Sequence, residues 1–391
     1  MQGLPNGVWT IAEILLVQLK GEMVIMNKSI YFFIGTEAEL IKVFPVIIEC
    51  QNAGRICHIV ASGQNDLGKS RIMEFMDLNG RAIELSKETD IKKSAAGLLR
   101  WFLCIKKKAP QIMKKHFRAA ELRGADLVVH GDTVSTMMGA FVGRKLGMRV
   151  CHVEAGLRSH NLLNPFPEEI DRLITSRLAR VHFAPGKIPA QNLRRAKGVV
   201  VNTEYNTILD SLAWSKKMEI RTEAVREIQG KDYFVFVMHR QENLMNHDFV
   251  RQVLKQVRML SREKKCVLIL HKITENKFQE LGILDKLKKD RRFLLLPRVD
   301  YFDFMKLLDG AQYVITDGGS NQEELHYMGK PCLIMRKTTE RQEGIGENAV
   351  MYSGRTENIK KFAENYKSYQ RECLLEKCQP SRIICNTLCR Q

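Results

Sequence analysis

Ten short apolar runs recur along this chain, and most intervals between them carry the 3.6-residue periodicity of amphipathic helices. The runs are SIYFFIG (29–35), ICHIVASG (56–63), ADLVVHGD (125–132), MRVCHVEAG (148–156), VHFAPG (181–186), YFVFVMH (233–239), CVLILH (266–271), FLLLP (293–297), YVITDG (313–318) and CLIMR (332–336). Helical patterns fall near 38–53, 66–78, 92–122, 134–146 and 168–179. Buried strands alternating with helices mean βαβ units, parallel pairing and a sheet covered on both faces. The fold class is therefore α/β. The interval 187–230 is polar, holds no strong strand pattern, and is the expected place for a domain boundary.

Two stretches resemble each other. ADLVVHGDTVSTMMGAFVGRKLGMRVCHVEAG lies naturally against AQYVITDGGSNQEELHYMGKPCLIMRKTTE: strand, Gly/Asp turn with hydroxyl residues, helix, glycine stop, strand. Such a repeat predicts two Rossmann-like domains facing across a cleft. The expected bounds are an extension at 1–27, a first domain at 28–200, a second at 201–365, and a C-terminal helix with an irregular tail at 366–391. Ligands of open α/β sheets bind outside the carboxyl ends of the strands. Asp132, Glu154, His239 and Gly318 all stand at such ends.

Charge and the ends of the chain narrow the partners. The 62 Lys and Arg against 44 Asp and Glu leave +18, which suits nucleic acid, a membrane surface or a phosphate-bearing ligand. No zinc-finger, RRM or basic-repeat signature accompanies the charge, so no nucleic-acid partner is expected. No uncharged apolar run is long enough to span a bilayer, so no membrane partner is expected either. The apolar stretch within residues 1–28 lacks the basic start and small-residue cleavage site of a secretory signal. It reads as a loose extension, with Met23 or Met26 opening the folded part. The ten cysteines lack close C-x-x-C pairs, so no metal site is expected, including at Cys373, Cys378, Cys385 and Cys389. Cys57, Cys151, Cys266 and Cys332 lie in apolar runs as core thiols. A reducing cytoplasm is the simplest compartment.

The turns carry the chemistry. In DGGSNQEE (317–324), Gly318 and Gly319 admit close backbone approach, Ser320 is placed to cap the following helix, and that helix start suits a phosphate. Glu323 and Glu324, further along it, suit ribose hydroxyls. His239 and Arg240, adjacent in VMHRQEN, suit an anionic leaving group. Asp132, Glu154 and Glu168 are strand-end or helix-start carboxylates. Each alone is explicable as a turn former or a dipole-favoured charge. Together they make a proton-handling cluster whose mutual repulsion raises at least one pKa. Lys42, one turn into the first helix, balances such charge.

These residues sit in motifs that resemble the non-hydrolysing UDP-N-acetylglucosamine 2-epimerases. The motifs are GTEAELIK (35–42), HGDTVST (130–136), HVEAGLRS (152–159), PFPEEIDR (165–172), MHRQEN (238–243), TDGGSNQEE (316–324), GKPCLIMR (329–336) and TTERQE (338–343). They occur in the family's order from about residue 28 to 365. GDT and HVEAG stand where the hydrolysing relatives have GDR and HGGE. The resemblance implies the GT-B arrangement and conversion of UDP-N-acetylglucosamine to UDP-N-acetylmannosamine. UDP leaves by anti elimination and returns to the other face of a 2-acetamidoglucal, in the service of cell-surface polysaccharide precursors. It implies catalytic roles for Asp132, Glu154, Glu168, His239 and Lys42, and UDP or substrate contacts for Gly318, Gly319, Ser320, Glu324, Arg240 and Arg158. No cofactor is needed, since the reaction has no net oxidation. A homodimer is implied. The sequence departs from the family at Glu37-Ala38, where the family has Arg-Pro beside UDP, and at Glu204–Thr207, where it has T-G-N-T. Epimerisation of a related UDP-2-acetamido-deoxy sugar, or glycosyl transfer on the same architecture with 98–118 as acceptor surface, are the alternative activities.

Overall fold

The computed structural model describes residues 29–87, 95–161, 166–336, 338–339 and 341–390. The extension expected at 1–27 and part of the loop before Glu168 lie outside them. The chain forms two compact units. One runs to Thr207 and takes back the residues from Pro380 onward; the other is Ile208–Gln379.

The first unit holds a seven-stranded sheet in the order β3-β2-β1-β4-β5-β6-β7. Its strands are β1 (Ile30–Ile34), β2 (Cys57–Ala61), β3 (Ala82–Glu84), β4 (Asp126–His130), β5 (Arg149–Val153), β6 (Val181–Ala184) and β7 (Val199–Asn202), and every pairing is parallel. β1 and β4 are buried at every position, as central strands covered on both faces must be. Helix α1 (Glu37–Asn52) starts with a capping box in which Thr36 accepts from the Glu39 N–H and Glu39 reaches back to the Thr36 N–H. Helix α2 (Ala95–His116) buries Trp101, Phe102, Ile105, Ala109 and Met113 while Lys107, Lys108, Lys114 and Lys115 face solvent. The segment weighed as an acceptor surface thus spends much of its apolar face on the core. Helix α3 (Val134–Lys145) lies close on the sheet, because a Cβ at Gly139 would sit 2.7 Å from the Phe33 ring. Helix α4 (Glu168–Leu178) completes the elements that matter to the site.

The second unit has six parallel strands in the order β10-β9-β8-β11-β12-β13. They are β8 (Tyr233–Val237), β9 (Lys265–Leu270), β10 (Phe293–Pro297), β11 (Val314–Thr316), β12 (Cys332–Ile334) and β13 (Ala349–Met351). Helix α5 (His247–Leu260) covers the sheet, with Val250, Val253, Leu254 and Val257 in the core, and α6 (Gly319–Met328) joins β11 to β12. The repeated halves read from the sequence are β4-α3-β5 and β11-α6-β12. Helix α7 (Pro380–Cys389) follows the second unit in sequence and packs on α1 of the first.

All ten apolar runs contain strands. Two expectations are corrected. The polar interval 187–230 holds β7, a four-residue strand whose exposed and half-exposed side chains leave no apolar signature. The helical pattern at 66–78 forms only two 3-10 turns, Leu67–Lys69 and Arg71–Phe75, neither with a side-chain cap at its start; Gly68 weakens any longer helix there.

Candidate active site

Each sheet reverses its strand order beside its first strand, between β1 and β4 and between β8 and β11. These are the topological switch points where α/β proteins bind ligands. The residues singled out in the sequence gather at the carboxyl ends of these strands and their neighbours.

In the first unit, Glu154 follows β5 with φ +62°. That left-handed backbone costs a non-glycine residue about 1 kcal/mol and is retained where it aims the carboxylate. Glu154 Oε2 accepts from Lys42 Nζ on α1 and from Asn206 Nδ2, and His130 Nε2 lies 3.4 Å away. The carboxylate is therefore held in place by a cation and an amide. His152 beside it is pushed down to about 3 by burial. It stays neutral, and its Nε2 lies 2.7 Å from the Gly131 carbonyl, to which that nitrogen donates. This bond braces the turn that presents Asp132. On α1, Glu39 is buried and accepts from the Gly35 N–H at 2.6 Å and from the Thr133 hydroxyl; burial raises its pKa against those donors.

A second carboxylate group forms where the turn after β4 meets α4. Asp132 is paired with Arg172, which also approaches Glu169 at 3.7 Å. Glu169 in turn holds Arg158 and accepts from the Ser159 N–H at 3.0 Å. Arg158 is thus engaged with a buried carboxylate and is linked to Asp132 through Glu169 and Arg172. Glu168 opens α4, and its Oε2 is buried with no hydrogen-bond partner among the described residues. Asp171, one turn on, is buried with Oδ2 likewise unpartnered. Burial, Asp132 and Glu168 together push it up to about 7. The repulsion expected among the carboxylates is therefore present, and it falls on a residue that had not been singled out. The signal was available: in PFPEEIDR, Glu168 and Asp171 are three apart and share one helix face.

In the second unit, the organising group is Asp317. It is fully buried after β11 and accepts from the backbone N–H of His239 at 3.0 Å, of Arg240 at 3.0 Å, and from Asn243 Nδ2 at 3.0 Å. His239 Nδ1 lies 3.1 Å from it. Burial works to raise Asp317, but His239 and these donors prevail and hold its carboxyl below the usual range. The His239–Arg240 turn is pinned by this carboxylate, and Arg240 Nε donates to the Asp317 carbonyl at 2.9 Å. The His239 ring stacks on His271 at 4.6 Å. His271 is pushed down to about 4 by burial and by the nearby His239 and Arg298.

Gly318 is the N-cap of α6, with no side-chain cap. A Cβ there would lie 3.2 Å from the His239 ring and 2.6 Å from Asn321 Oδ1. The expected cap by Ser320 is corrected: Ser320 is inside the helix and exposed, and Thr316 Oγ1 accepts from the Gly318 N–H at 3.0 Å instead. The first N–H groups of α6, from Gly319 onward, have no intrahelical acceptor. Glu324 accepts from Asn321 at 3.0 Å, and Glu323 pairs with Arg341.

A family profile described as UDP-N-acetylglucosamine 2-epimerase matches residues 105–380. The chain belongs to this family. It is 28% identical over 343 residues to the UDP-N-acetylglucosamine 2-epimerase of Methanocaldococcus jannaschii, with 84% of this chain and 89% of that protein covered. It is 30% identical over 340 residues to that of Salmonella borreze, covering 83% and 86%. The crystal structure of the M. jannaschii UDP-GlcNAc 2-epimerase in complex with UDP-GlcNAc and UDP matches with a TM-score of 0.70 at 26% identity, over 93% of this chain and 99% of that one. Within this epimerase family member, Asn206 occupies the region that departs from T-G-N-T, and its side-chain amide donates a hydrogen bond to the Glu154 carboxylate. Glu37 begins α1, where a carboxylate is favoured by the helix dipole.

Proposed function

We propose that the chain is a non-hydrolysing UDP-N-acetylglucosamine 2-epimerase that interconverts UDP-GlcNAc and UDP-ManNAc. The observation that carries the proposal is the carboxylate cluster Asp132, Glu168 and Asp171, in which burial and its two neighbours push Asp171 up to about 7. Inverting carbon 2 requires a proton to leave one face and another to arrive on the opposite face. A carboxyl group raised toward neutrality within a cluster of carboxylates suits such an exchange of protons.

The steps balance without an oxidant. A carboxylate takes the carbon 2 proton, the C–H electrons form the C1–C2 double bond, and the C1–O bond breaks with its pair leaving on the UDP β-phosphate oxygen. Return of UDP to C1, with protonation of C2 from the other face, gives the epimer. Because the C2 proton is barely acidic, stabilising the departing diphosphate lowers the barrier most. His239, Arg240 and the open N–H groups at Gly319 and Ser320 suit that task; Glu324 suits the ribose. Lys42 and Asn206 hold Glu154 oriented. The reading extends to a reducing cytoplasm, supported by the buried core thiols Cys57, Cys151, Cys266 and Cys332, and to a homodimer. No described helix is long and apolar enough to cross a membrane.

Glu37 favours one variant of this reading, in which the substrate is a related UDP-2-acetamido-deoxy sugar, because a carboxylate replaces the family arginine near the nucleotide. A panel of UDP-2-acetamido sugars incubated with the purified protein and no added cofactor separates the two. Turnover of UDP-GlcNAc to UDP-ManNAc as the fastest reaction supports the proposal; faster turnover of another sugar supports the variant; transfer to an acceptor without epimerisation overturns both.

A further inference from the structure

The carboxyl half of α1 and the C-terminal helix α7 bring three cysteines together well away from the switch points. Cys50 is fully buried near the end of α1, Cys385 is buried on α7, and Cys389, one turn further on the same face of α7, is partly exposed. Their three sulfur atoms all lie within 4.8 Å of one another. Two of the four cysteines crowded in the last stretch of sequence thus find their partner more than 330 positions away, and Cys373 and Cys378 take no part. Helix α7 begins at Pro380, the last residue of the family match.

We propose that Cys50, Cys385 and Cys389 form a thiolate site for a thiophilic metal ion, Zn2+ or an ion of the same class, which clasps the C-terminal helix to α1. The geometry fits. Cys385 Sγ and Cys389 Sγ are 3.8 Å apart, and a tetrahedral centre with metal–sulfur bonds of about 2.3 Å has sulfur–sulfur edges of about 3.8 Å. The same pair suits a disulfide poorly. Side chains four apart on a helix have Cβ atoms about 5–6 Å apart, whereas a disulfide needs about 3.5–4.5 Å, so oxidation within α7 requires unwinding it.

The surroundings favour a bound cation over three free thiols. Cys389 is one residue from the end of the described chain, at the carboxyl end of α7, where open carbonyls favour positive charge and disfavour a bare thiolate. On binding, three metal–sulfur bonds form, the thiol protons leave to solvent, and no electrons change hands. Cys57 lies beside Cys50 but points its thiol to the Ile47 and Arg55 carbonyls at 3.9 and 3.8 Å, and its sulfur is not among the three that gather. The clasp acts at one end of the helix whose other end carries Glu39 and Lys42, so metal occupancy bears on the stability of the first unit.

The test uses the full chain, reduced and stripped of metal, titrated with Zn2+ against a chromophoric chelator and with Co2+ to read sulfur-to-metal charge-transfer absorption. The expected result is one equivalent per chain, a thiolate charge-transfer band, and a rise in thermal midpoint on adding Zn2+. Cys389→Ser, near the surface and least able to disturb folding, is expected to weaken Zn2+ binding by about 100-fold or more, the upper range for disturbing even outer partners of a metal site. Cys385→Ser should act alike, while Cys373→Ser leaves binding unchanged. Absence of the Co2+ band in reduced, folded wild-type protein overturns the proposal. So does binding that persists undiminished in the folded Cys385→Ser/Cys389→Ser double variant.

Discussion

The two units share one strand order through their first six strands and carry opposite chemistry at the same place. At the β1/β4 switch point, and at the strand ends beside it, the turns deliver carboxylates: Asp132, Glu154, and Glu168 with Asp171 from α4. At the β8/β11 switch point the turns deliver a histidine, an arginine and the open end of a helix, with a carboxylate, Asp317, buried beneath them as an anchor. The comparison teaches that this topology fixes where a ligand is met, and that the turn residues decide what is done to it. On the proposed reading, proton handling falls to one unit and anion holding to the other. An epimerase working by elimination and return of UDP needs both.

The comparison is broken most severely by neutralising the first unit's carboxylates. Asp132→Asn and Glu168→Gln are each expected to lower kcat by about 10²–10⁴-fold, the usual worth of a positioned acid or base. UDP binding, measured by calorimetry, should stay within a few-fold of wild type, because the anion-holding groups are elsewhere. Loss of UDP affinity equal to the loss of kcat would contradict the division of labour.

The second unit is tested through its anchor. Asp317→Asn removes the charge that fixes the His239–Arg240 turn and leaves an amide that donates toward N–H groups. UDP affinity is expected to fall about 10- to 100-fold, from loss of charge-assisted hydrogen bonds worth about 1.5–3 kcal/mol. His239→Ala should weaken UDP binding less while leaving the fold intact by circular dichroism. A smaller effect sharpens the comparison at Glu37. Glu37→Arg restores the family's charge, and UDP should bind about two- to fivefold tighter, the scale of a partly exposed ion pair.

The smallest effect is one of pH. Asp171 has an ordinary value near about 4 in the unfolded chain and about 7 in the folded one. Between those values the folded protein keeps a proton that the unfolded chain has released, so this group makes stability fall as pH rises through the window. The penalty is complete above about 7 and absent below about 4. Asp171→Asn is therefore expected to raise the thermal midpoint at pH 8 by roughly 2–6 °C relative to its effect at pH 4. An equal effect at both pH values would show that Asp171 is ionised normally.

What was legible in the sequence follows from range. Strands of five or so apolar residues announce themselves locally, and so do turns rich in Gly, Asp and His; the ten runs and the repeated βαβ halves were read on that basis. β3, β7 and β13 were not, because three or four residues with mixed burial carry no period. Asp317 was seen as part of a glycine turn and not as an anchor, since its partners His239 and Arg240 lie 78 and 77 positions away. Asn206 was noted only as a departure, its bond to Glu154 spanning 52 positions. Asp171 was hidden for a different reason. Its unusual proton affinity comes from burial against Asp132 and Glu168, and a string of letters shows neighbours along a helix but not what closes over them.

The central claim concerns one carbon atom. Proton NMR of the purified protein with UDP-GlcNAc in heavy water follows the substrate, the product and the hydrogen at carbon 2 together. The account predicts that UDP-ManNAc appears with deuterium at carbon 2 and that the remaining UDP-GlcNAc pool gains the same label as the reaction reverses. Product that keeps its original proton, or folded protein that leaves UDP-GlcNAc unchanged, would contradict it.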